Sequence, residues 1–261
     1  MNKTISFFFF FILGFSVYYF VDLFYFKSIQ TFVKELSGSK AVAHIAAYCV
    51  TILPLIITLK IIFPEKNMTS LFSINKPVLK GFSLSFIGTL PMLAGYFMYF
   101  KLVQSINFQS LFINSISSPF FEELIFRAFL IGILYRFTRL GFITSALSGS
   151  LLFAQVHLYQ GSSFTELTEI FLITFLGSVF FSWVYFETDF NLWTAIFLHL
   201  FMNLYWEIFN VSDNVSGNMY GNLFKILSIL LIIALIIYNK RRNKTPFQIT
   251  AKNLFIKSKQ M

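Results

Sequence analysis

The chain has 261 residues, of which 57% are hydrophobic and only 12% charged, with 38 Phe and a formal net charge of +9. Ordinary soluble domains carry about twice that share of charge, roughly 25%, and the apolar surplus has no soluble core large enough to hold it. The composition excludes an ordinary soluble domain, a disordered chain and, with Cys49 the single cysteine, a disulfide scaffold; it points to an all-α, polytopic membrane helix bundle.

A membrane span needs about 20 mostly apolar residues. Eight stretches approach that: 5–26, 41–63, 81–100, 118–135, 141–158, 167–186, 191–209 and 222–238. The first follows Lys3; its apolar run is too long for a signal peptide and no small-residue cleavage site follows, so it reads as a retained helix. Asp22 falls near its end. The second opens on His44, read as interfacial. The fourth starts at Ser118-Pro119, a capping residue followed by a proline at the first helical position, which places Glu122 and Glu123 in the first turns near the positive end of the helix dipole. The fifth closes on His157. The sixth is bordered by Glu166, Glu169, Glu187 and Asp189, charges placed at or near span ends. The seventh carries His199, Asn203 and, a turn further, Glu207. Residues 1–239 thus read as one membrane-embedded domain and 240–261 as a basic tail.

The Lys and Arg residues set the expected orientation. Fourteen of them (Lys3, the four lysines bordering 60–80, Arg136, Arg139 and seven in the tail) fall on one side, against five on the other (Lys27, Lys34, Lys40, Lys101 and Lys225). The excess predicts both termini in the cytoplasm. Topology and anionic headgroups account for the basic residues, and no nucleic-acid-reading motif accompanies them.

An ionisable side chain inside a span costs about 2.5–3.5 kcal/mol on insertion, which marks it as functional by default. Glu123 and Arg127 are one helical turn apart and can pair. Glu122 is rotated by about 100° from Glu123 and stays free for chemistry. His199 and Asn203 share a helix face, and antiparallel packing brings the end of the fifth span to the depth of Glu122. Glu122, His157, His199 and Asn203 are therefore expected to face one pocket. A carboxylate and an imidazole can activate a water; an amide and a second imidazole can stabilise an oxyanion.

In order, Pro119-x-x-Glu122-Glu123-x-x-x-Arg127, then Phe153-x-x-x-His157, then His199-x-x-x-Asn203 resemble the CPBP intramembrane proteases, the CAAX-protease and bacteriocin-processing enzymes also called the Abi family. The resemblance covers roughly a third of the chain, from about Ser117 to Tyr205, the expected catalytic core. It includes Tyr185-Phe186-Glu187-Thr188 and Leu192-Trp193-Thr194-Ala195-Ile196. One position departs: the family usually has Gly after the motif arginine, where this chain has Ala128. The resemblance implies that Glu122 is the catalytic glutamate, that His157 shares its water, that His199 and Asn203 stabilise the oxyanion, and that Glu123 and Arg127 form a supporting pair.

The expected protein is an intramembrane endopeptidase of the cell membrane. It acts on a membrane-associated or secreted peptide, in bacteriocin or signal-peptide maturation or in self-immunity, with the lipid bilayer and a peptide substrate as partners and no nucleic acid. Two alternatives stay open. One is a catalytically silent, membrane-embedded binding or immunity protein. The other is a zinc-dependent form of the same protease, since Glu122, Glu123, His157 and His199 offer oxygen and imidazole donors suited to zinc. The family's metal-independent glutamate mechanism is the favoured reading, with no cofactor.

Overall fold

A computed structural model describes residues 3–257; Lys259 of the basic tail lies outside the described residues. The chain is helical throughout, and the one β-type contact among the described residues is an isolated bridge between Leu140 and Ile256. The expected all-α polytopic bundle is therefore what forms.

Helix α1 (Lys3–Ser37) is 35 residues long, about 50 Å, and outruns a hydrocarbon core of about 30 Å. Asp22, expected near a span end, consequently lies well inside this helix, and its half-buried carboxylate has an oxygen without a hydrogen-bond partner. The second predicted span forms as α2 (Lys40–Thr51) and α3 (Leu53–Ile62), interrupted where Pro54 lacks an N–H. After the short α4 (Met68–Leu71), the third predicted span forms as α5 (Val78–Gly88) and α6 (Leu90–Tyr99), bent by 40° at the same kind of break, next to Pro91.

The fourth predicted span belongs to a longer continuous run: α7 (Phe108–Phe112), a π-helical turn over Ile113–Ser117, α8 (Ser118–Glu122), a π-helical segment over Glu123–Ile133 and α9 (Leu134–Phe137). Then follow α10 (Phe142–Val156), α11 (Phe164–Glu187), α12 (Leu192–Ile208) and α13 (Met219–Arg242). Among the described residues, five helical stretches are long and apolar enough to cross a membrane, six with the bent α5–α6 pair, which leaves the expected count of eight unconfirmed. The fourth and seventh predicted spans are helical but fall outside this count. Every residue of Glu123–Ile133 is buried, so this segment is walled by protein rather than lipid, and α12 has only 17 residues.

Close packing places α12, which carries half of the expected site. A Cβ at Gly81 would come within 2.7 Å of the Thr194 backbone nitrogen, and Ser85 donates to the Thr194 carbonyl at 2.8 Å; small residues on α5 let the two backbones meet, as membrane helix pairs require. On the other side, α1 is fixed to the central segment by Phe11 stacked on Phe129, with centroids 4.9 Å apart.

Residues 243–257 form a strap folded back on the bundle. Glu187, expected as an inexpensive charge at a span end, is buried; it pairs with Lys240 Nζ at 3.2 Å and accepts the backbone N–H groups of Gln248 at 3.1 Å and Ile249 at 2.9 Å. Tyr135 donates its hydroxyl to the Gln248 carbonyl, and Gly141 and Ile143 donate to Phe255 and Leu254. Breaking a buried ion pair from one side costs about 3–5 kcal/mol. Glu187→Ala is therefore expected to release the strap, read as faster proteolytic cleavage within 243–257; an unchanged cleavage rate would contradict this anchoring role.

Candidate active site

The helix that supplies Glu122 does not begin at Ser118. Its cap is Asn107, whose side chain accepts from the Ser110 N–H at 3.1 Å, and the chain stays helical from there past Pro119. An internal proline removes one N–H and crowds the preceding turn. Here the backbone widens just before it: the Ser118 N–H reaches back five residues to the Ile113 carbonyl. The expected Ser118 cap is thus absent, and Glu122 lies more than two turns inside the helix, beyond the favourable end of the dipole.

Behind Glu122 lies a chain of buried groups. Arg127 and Glu123 are fully buried and pair at 3.1 Å. The same Glu123 oxygen, Oε1, lies 2.9 Å from His199 Nδ1. A carboxylate paired with a guanidinium accepts, so Nδ1 carries the proton and donates to it, which turns Nε2 outward. That Nε2 stands 4.0 Å from Glu122 Oε2. The gap is too long for a direct hydrogen bond and suits a bridging water. Oε2 of Glu122 is buried and has no partner within the protein.

Phe153 organises the remaining wall. The Arg127 guanidinium lies 4.2 Å from its ring centroid, an arrangement that favours a cation in a dry site. The His157 ring lies 4.4 Å from Phe153 and the His199 ring 6.4 Å, so both imidazoles border one aromatic side chain. His157 sits at the C-terminal end of α10. Its Nδ1 donates to the Phe153 carbonyl at 2.7 Å, an acceptor-only group, and Nε2 is left as an acceptor. The Phe-x-x-x-His spacing thus both fixes the tautomer of His157 and builds the wall that Arg127 needs.

Asn203 is placed differently from the others. Its side-chain N–H₂ donates to the Asn114 carbonyl at 2.9 Å, within the π-helical turn, and ties α12 to the stretch leading into Glu122. One N–H of the amide remains for other use. His44, expected at the interface, is buried and hydrogen-bonded through Nδ1 to Ser117 Oγ at 2.9 Å; it packs against the same turn. Glu207 is half-buried on α12. Asn114 and Phe181, whose ring lies 5.4 Å from Arg127, complete the surroundings and do not stand out in the sequence. Asn114 is a polar residue in an apolar run, the one signal that points to it; a lone Phe among 38 carries none.

Glu123 Oε1 is already shared between Arg127 and His199 Nδ1, and among the described residues no three His, Cys, Asp or Glu side chains converge closely enough to hold a metal.

No curated protein and no solved structure matches the chain. A family model does, over residues 104–205: type II CAAX prenyl endopeptidase, Rce1-like. That segment begins at the approach to α7 and ends within α12, and so contains Glu122, Glu123, Arg127, His157, His199 and Asn203. The site-bearing segment of this membrane bundle is thus similar to the Rce1-like CAAX proteases, in line with the resemblance carried by the order and spacing of its motifs.

Proposed function

We propose that the protein is an intramembrane endopeptidase that hydrolyses a peptide bond of a membrane-associated or secreted peptide through water activated by Glu122. The observation that supports this reading best is the buried, unpartnered Oε2 of Glu122, facing a His199 Nε2 at 4.0 Å. A carboxylate so placed has nothing to hold except a water or a substrate. In this mechanism Glu122 takes a proton from the water, and His157 Nε2 accepts the water's other hydrogen and orients it. The water oxygen attacks the scissile carbonyl carbon.

The oxyanion formed is met by His199 and Asn203. With Nδ1 donating to Glu123, His199 can donate from Nε2 only as an imidazolium, a cation flanked here by Glu122 and Glu123. The second N–H of Asn203 is the other donor. Collapse of the tetrahedral intermediate breaks the C–N bond, and Glu122 returns its proton to the departing amine. The supported roles follow the resemblance, with substrates among bacteriocin- or signal-type peptides in maturation or self-immunity. On the proposed topology both termini are cytoplasmic and the site opens toward the opposite side of the cell membrane.

Peptidomics of cells carrying wild type, Glu122→Gln or His157→Ala tests the reading; new peptide termini are expected with wild type alone, and identical termini in all three would refute it. Because Glu123 is held by Arg127 and His199, cleavage by the purified protein is expected to survive EDTA. Loss of activity on chelation, restored by zinc, would replace this mechanism with a metal-dependent one.

A further inference from the structure

A cavity of about 1220 Å³ opens at the end of the bundle opposite the candidate active site, between the start of α1, the end of α3, the α9–α10 connection and the C-terminal strap. Five basic residues line it: Lys3, Arg136, Arg139, Lys252 and Lys257. No Asp or Glu is among its described lining residues. Its floor is apolar, made by Phe7, Phe10, Ile61 and Phe63.

The five cations are not equivalent. Arg136 is spent on the protein, donating to the carbonyls of Ser70 and Leu71 and to Ser73 Oγ. Lys257 Nζ donates to the Tyr135 carbonyl. Arg139 uses only Nε, toward the Lys257 carbonyl at 3.5 Å. Lys3 and Lys252 are exposed, with no hydrogen bond or ion pair among the described residues. Two fixed cations thus stand beside three whose charged ends are available.

Positive charge collected at a helix-bundle end follows from topology alone, but topology does not require it to converge on one concave, aromatic-floored site. We propose that this cavity binds one anionic phospholipid, its phosphate held by Lys3, Arg139 and Lys252 and an acyl chain laid along the Phe face of α1. The geometry suits such an amphiphile: α1 leaves the apolar bundle here, so the cations stand at headgroup level and the Phe side chains at acyl level. An acidic peptide would match the charge but not the floor.

The test is titration of the full-length, detergent-solubilised protein with phosphatidylglycerol, read as bound lipid by native mass spectrometry. Saturable binding of a single lipid is expected, with phosphatidylcholine binding clearly weaker. Each neutralised basic residue is expected to weaken binding about five-fold, so Lys3→Gln loses about five-fold and Arg139→Gln/Lys252→Gln about 25-fold. Arg139→Lys/Lys252→Arg should bind as wild type does. Arg241→Gln/Lys244→Gln, basic positions outside the cavity lining, should also leave binding unchanged. Lys3 is exposed at the start of α1, so its variant reports even if the double variant does not fold. Equal affinity for both lipids, unaltered binding in Lys3→Gln, or an equal loss in the Arg241/Lys244 control would overturn the proposal. Inorganic phosphate competing as effectively as the lipid would overturn it too, in favour of a free-phosphate site.

Discussion

Replacing Glu122 by Gln is expected to lower turnover by about 10²–10⁴-fold, the range over which a positioned general base acts, without loss of folded protein. The amide has the shape of the carboxylate but cannot take the proton of the attacking water. Little in the fold depends on the charge: Oε2 of Glu122 has no hydrogen-bond partner, and His199 Nε2 stands 4.0 Å away. A half-buried carboxylate left without a protein partner is a cost to stability, so the variant is expected to melt at or above the wild-type temperature, the usual exchange between stability and activity at a catalytic position. Cleavage of an identified peptide, measured beside thermal unfolding in detergent, checks both halves. Retained cleavage would remove Glu122 from the chemistry. A large drop in stability would mean that its charge is structural.

The pairing of Glu123 with Arg127 is legible in the sequence because helical neighbours four apart meet whether the backbone is α or slightly widened, and because two opposite charges in an apolar run have few other uses. The approach of His199 to Glu122, and of both imidazoles to Phe153, is legible for a similar reason: antiparallel packing of neighbouring helices brings those depths together. The entry to the helix is not. Ser118-Pro119 is a good helix start in isolation, and a shift from i→i+4 to i→i+5 hydrogen bonding leaves no mark in composition. Only the packed structure shows Pro119 inside a helix capped at Asn107.

Burial explains the other differences. Hydropathy distinguishes apolar from polar, not lipid from protein, so it does not show that the apolar segment Glu123–Ile133 is enclosed by protein. Counting residues puts Glu187 and Asp22 at span ends. The length of α1 moves Asp22 inward, and the strap folds back over Glu187. Neither is visible until distant segments meet. Asn203 illustrates the same limit: its spacing from His199 gives its face, whereas its bond to Asn114 depends on a turn 89 residues away.

The second large effect is expected at Arg127. Arg127→Met leaves Glu123 fully buried with its cation gone, and breaking a buried pair from one side costs about 3–5 kcal/mol, enough to deplete folded protein in the membrane. The stabilising surroundings of Arg127, the Phe153 ring at 4.2 Å and the Phe181 ring at 5.4 Å, would receive the Met side chain without strain, so the loss belongs to the orphaned carboxylate. Removing that carboxylate as well, in Glu123→Leu/Arg127→Met, is therefore expected to restore most of the stability, since apolar replacements of a buried pair are often neutral. Activity should not return with it. His199 Nδ1 then loses its acceptor at 2.9 Å, the ring loses both its fixed tautomer and the anion beside it, and turnover stays down by about 10²-fold or more. A double-mutant cycle on unfolding, run beside the cleavage assay, separates the two roles. If the double variant regains activity together with stability, the pair is a structural device only. If it regains stability alone, Glu123 and Arg127 serve the reaction by holding His199 against Glu122.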